Sequence, residues 1–72
     1  MATPMFPIKS SQISYIGYDR VTKELFVTFK NDSTYKYEDV PQEVFKKLLG
    51  ASSVGNYFST WIKNEYKFTR IK

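Results

Sequence analysis

Tyr35, Lys36 and Tyr37 stand in a row, and a ring, a cation and a second ring in that order suit a phosphate-bearing ligand. Flat rings stack on nucleobases while an ammonium group meets phosphate. The same spacing has a plainer use. Tyrosines at i and i+2 of a strand share one face, so the pair also suits packing on the interior, with Lys36 on the opposite, solvated side. Ser53, Gly55 and Asn56 form a second group. A helix starting there offers free N–H groups and a favourable dipole to an anion. Capping alone also accounts for Ser53, and Gly55 also suits close helix packing. A third group lies towards the end of the sequence, where Lys63, Lys67 and Arg70 bring charge for phosphate contacts and Tyr66 a further ring.

Other chemistries find no support. There is no His and no Cys, which removes the commonest general base and the strongest nucleophile. The seven acidic residues are scattered, and Glu38 with Asp39 falls where a helix cap is expected. No metal-ligating run and no cofactor-binding fingerprint appears, and the three glycines form no phosphate loop. The expectation is a chain that is not an enzyme and carries no catalytic residue, metal or cofactor.

These groups need elements to hold them. Ile13–Tyr18 reads as a strand rich in β-branched and aromatic residues, followed by a turn over residues 19–23. Glu24–Lys30 alternates Leu25, Val27 and Phe29 onto one face. Asn31-Asp32 suits a tight turn, and Ser33–Glu38 makes a third strand. Asp39, Pro41 and Gln42 signal a helix from Pro41 to Leu49, with Asp39 as its cap and Gly50 left-handed at its end. Ser53 caps a second helix from Val54 to Asn64, whose apolar stripe takes in Trp61 and so buries it. Tyr66–Ile71 alternates and suits either a fourth strand or a fraying tail, with the strand preferred.

The expected fold class is α+β: a three-stranded antiparallel meander packed on two helices, β-β-β-α-α, with a short C-terminal strand left open. Residues 1–9, with two prolines, read as an extended lead-in, and residues 10–72 as a single domain. The 72 residues carry 18% aromatics and a net charge of +4, of which residues 63–72 hold +3. A domain this small is marginal alone, so homo-oligomerisation stays open. Nothing reads as a signal peptide or membrane span, and the lack of cysteine suits a reducing cytoplasm.

The ordered residues resemble the KTSC domain family. The resemblance rests on Ser10-Ser11, Ile13 and Ile16-Gly17-Tyr18-Asp19, then Leu25, Val27 and Phe29, then the Tyr35-Lys36-Tyr37 hallmark. Val40-Pro41, Val44, Leu48, Ala51, Ser53, Gly55, Tyr57-Phe58, Ile62 and Tyr66 continue it. Asp32 stands where that family usually has a hairpin glycine, and Lys63 where an Arg is common. The family is named for its occurrence in lysyl-tRNA synthetases and occurs in small bacterial and phage proteins. The resemblance implies a binding role in a bacterial cell or phage-infected host, with RNA the first partner to consider. A homo-oligomeric phage sponge for cyclic oligonucleotide immune signals, and a protein-interaction or inhibitor domain, are the alternatives. The expected binding residues are Tyr35, Lys36, Tyr37, Ser53, Asn56, Lys63, Tyr66, Lys67 and Arg70.

Overall fold

A computed structural model describes residues 3–72. Seven elements follow in chain order: β1 (Met5–Pro7), β2 (Ile13–Asp19), β3 (Glu24–Phe29), β4 (Thr34–Tyr37), α1 (Gln42–Gly50), α2 (Val54–Trp61) and β5 (Phe68–Arg70). The class is α+β, with two helices and an antiparallel sheet. The sheet has five strands in the order β1-β2-β3-β4-β5, not the three of the expected meander. Both additional strands are three-residue edges. Met5–Pro7, inside the expected lead-in, pairs with Tyr15–Gly17 of β2. Phe68–Arg70 pairs with Tyr35–Tyr37 of β4, which decides the open question of the last strand. Edges this short hold too few residues for alternation to reveal them, and β1 follows Pro4 and ends in Pro7.

The core forms where one sheet face meets the helices. Ile13, Ile16, Leu25, Val27 and Tyr37 meet Val40, Leu48, Phe58 and Ile62. Each large apolar side chain removed from water contributes about 1.5–3 kcal/mol. Trp61 does not join them and is 60% exposed. Phe58 and Ile62 use up the face that the sheet covers, so Trp61 lies one position off it, 6.4 Å from the half-buried Tyr57.

Two helix signals work differently from expectation. Pro41 precedes α1 without any side-chain cap, and Asp39 takes a left-handed φ of 56°. The reason lies next door. Val40 is pinned on both sides, its N–H donating to the Lys23 carbonyl and its carbonyl accepting from the Tyr18 hydroxyl, so Asp39 is spent on turning the backbone. Gly50 closes α1 as its last residue, and the extended Ala51 ends it by donating its N–H to the Leu48 carbonyl. Ser53 does cap α2, accepting from the Asn56 N–H at 3.3 Å. The helix stops at Trp61, short of the expected Asn64. No helix among the described residues is long and apolar enough to cross a membrane.

Candidate functional site

The β3–β4 connection builds one wall of the principal recess. Asp32 donates its N–H to the Phe29 carbonyl and itself holds φ 69°, the left-handed position of a three-residue hairpin. Asn31 uses its side chain: Oδ1 accepts from the Ser33 N–H at 3.1 Å and the Ser33 hydroxyl at 2.6 Å. Only Asp32 of the expected Asn-Asp pair therefore needs positive φ.

Between this hairpin, β5 and α2 lies a cleft of about 680 Å³. Its apolar wall is a closed circuit of five rings. Tyr35 meets Phe29 at 5.6 Å, Phe29 meets Phe58 at 5.6 Å and Phe58 meets Tyr37 at 5.3 Å. Phe68 completes it, 5.7 Å from both Tyr37 and Tyr35. Such pairs contribute roughly 0.5–1.5 kcal/mol each beyond their burial. Gln12, Asn31, Ser33, Ser59, Asn64, Lys30 and Lys63 supply the polar lining.

A second recess of about 520 Å³ adjoins the first and shares Gln12 and Ser59 with it. It lies at the start of α2 and is lined by Lys9, Ser10, Ser11, Ser53 and Asn56, among others. Gly55 explains how it closes. A Cβ there would stand 3.1 Å from the Ser10 hydroxyl, which is fixed by the N–H groups of Gln12 and Ile13. Gly55 is buried against this loop, so its lack of a side chain lets α2 pack closely there while its backbone lines the recess. No carboxylate lines either recess, although the chain holds seven.

The nine expected binding residues divide. Tyr35, Tyr37 and Lys63 meet in the cleft, and Ser53 and Asn56 in the adjoining recess. Tyr37 is only 3% exposed, so it is a wall and not a stacking surface. Burial, helped by the neighbouring Tyr35, pushes its phenol up to about 12. Lys36 leaves the group. It points to the other sheet face, opposite Phe26 and Thr69, and pairs with Glu24 at 3.2 Å. Arg70 stands opposite Tyr35 at the sheet edge, with Nε donating to the Lys72 carbonyl. Tyr66 packs on the core, and Lys67 is exposed with its carbonyl accepting from the Glu38 N–H. Neither lines a recess.

Phe29, Phe58, Phe68, Lys30, Gln12, Asn31, Ser33, Ser59 and Asn64 are the cleft residues outside the expected binding set. Phe68, 53% exposed, is the accessible ring. Its place follows from the pairing of Tyr37 with Phe68, a register that no local pattern specifies.

Comparison with known proteins places the chain. The model of the KTSC domain matches residues 9–66. This chain belongs to the KTSC domain family. A crystallised KTSC domain protein of Yersinia pestis superposes with a TM-score of 0.95 at 32% identity, covering 99% of this chain and all of that one. A Tsukamurella paurometabola protein is 38% identical over 63 residues, which is 88% of this chain and 94% of the relative. A lysine–tRNA ligase of Nostoc punctiforme carries a KTSC-like segment 32% identical over 71 residues, and there this chain spans 13% of the ligase.

Proposed function

We propose that this KTSC chain is a non-enzymatic binding module for phosphate-bearing ligands, with RNA as the ligand. The observation that carries it is the pair of adjoining recesses, one walled by aromatic rings, with Lys9, Lys30 and Lys63 on their linings and no carboxylate. Stacking on Phe68 and Tyr35 answers a base, and the lysines answer phosphates. Segments like this chain within lysine–tRNA ligases support the same reading, since those enzymes are named for tRNA. A reducing cytoplasm, in a bacterial cell or phage-infected host, is the compartment that suits this role.

Titration of a labelled single-stranded RNA at 50 and 200 mM salt tests the proposal. Three lysine–phosphate contacts on a single strand predict affinity falling roughly twentyfold between the two. Phe68→Ala should weaken binding while keeping the fold, because that ring is half exposed. Salt-insensitive binding, or none, removes the reading. The exposed Trp61 beside Tyr57 favours a protein-interaction role as the second reading. Capture of a host protein that survives nuclease treatment and is lost in Trp61→Ala would support it.

A further inference from the structure

The aromatic cleft carries more polar detail than a phosphate-binding surface needs. Three side-chain amides line it: Gln12, Asn31 and Asn64. Phosphate asks only for cations and N–H donors, whereas carboxamides match the paired donors and acceptors along a base edge. Asn31 is the most constrained. Its Oδ1 is engaged twice by Ser33, and Ser33 is buried, so the orientation of the amide is set and its amino group is the end left over. A fixed donor beside an aromatic wall discriminates between ligands that offer an acceptor there and ligands that do not.

We propose that the cleft receives one unpaired nucleobase and that Asn31, Gln12 and Asn64 read its edge. The ligand is then single-stranded nucleic acid with a base preference, not a duplex held by its phosphates. This rests on the proposed phosphate-ligand function and narrows it to one ligand class. A base inside a duplex has its faces stacked and its pairing edge occupied, so it presents nothing to rings and amides together. The volume of about 680 Å³ lies in the usual range for a small-molecule pocket and accommodates a nucleotide. Lys30 and Lys63 on the same lining provide for its phosphate, and the five-ring circuit supplies the faces for its base.

Labelled hexamers of each of the four bases, and one duplex of mixed sequence, titrated against the intact chain, test this. The expected result is single-strand binding at least tenfold tighter than duplex binding, with a spread of roughly tenfold among the four bases. Gln12→Ala and Asn64→Ala should narrow that spread, and Lys63→Ala should weaken all four hexamers alike. Asn31→Ala strips the buried Ser33 of its partner, so Gln12 and Asn64 are the primary variants. Four equal affinities, all lost in Phe68→Ala, would overturn reading by the amides and leave the phosphate-ligand function standing. Duplex binding as tight as single-strand binding would overturn the unpaired base. No binding to any probe would remove both the inference and the function beneath it.

Discussion

Tyr37 shows how one side chain joins the fold to the candidate site. It is a core residue by burial and a cleft wall by position. Its phenol, raised from 10.0 to about 12, is more easily deprotonated in the unfolded chain than in the folded one. The stability this contributes is fully present below pH 10 and is lost as pH rises towards 12. Urea unfolding at pH 8 and pH 11 should show a loss on the order of 1 kcal/mol from this group. Tyr37→Phe should lose less over the same interval. Tyr18, raised by burial and then by the Asp19 charge, contributes in the same direction. An equal loss in wild type and Tyr37→Phe would show that Tyr37 is not the buried phenol responsible.

Turns and edges carry the sharpest predictions at the scale of elements. Lys23, Asp32 and Asp39 all hold left-handed backbone, and no glycine among the described residues does. Asp tolerates that region through its short polar side chain, while Lys has no such compensation. Lys23→Gly should therefore stabilise the chain by about 0.5–1 kcal/mol, and Asp32→Gly by less. Thermal unfolding of the two variants would check the order, and an equal shift would contradict it. β1 depends on a different glycine. A Cβ on Gly17 would meet the Pro4 carbonyl at 2.7 Å as well as the Met5 side chain. Met5 can turn aside, but the Pro4 carbonyl, one residue before β1, can move only with the backbone that leads into it. Gly17→Ala should cost about 1–3 kcal/mol, read by denaturant unfolding, with β1 released from the sheet. An unchanged midpoint would mean that β1 contributes no stability.

At the scale of the whole molecule, the question is where the positive charge acts. Residues 63–72 hold most of the net charge, yet the fold disperses their side chains. Lys63 reaches the cleft, Arg70 turns back to the Lys72 carbonyl, and Lys67 lies outside both recesses. Lys30, far off in sequence, joins Lys63 instead. The double variant Lys30→Ala with Lys63→Ala should lower the slope of log affinity against log salt by about 1.4. Lys67→Ala with Lys72→Ala, an equal change in net charge, should lower it far less. Equal slopes would show that overall charge, and not the cleft, governs binding.

Period-2 alternation in β2–β4, the apolar stripe of α1 and the Ser53 cap were legible because each depends on neighbours close in the chain. The order Tyr35-Lys36-Tyr37 also carried its own answer to which face Lys36 takes, since alternation is a local property. The circuit of Phe29, Tyr35, Tyr37, Phe58 and Phe68 was not legible. Its members lie up to 39 positions apart, and only strand register and the docking of α2 bring them together. Tertiary packing also assigned Gly55 to a helix contact, put Trp61 in solvent and gave the cleft to Lys63 over Lys67. Composition and spacing set which chemistry the chain has available; long-range contacts, whose entropy is recovered only when the whole core closes, decided which of those groups share a space.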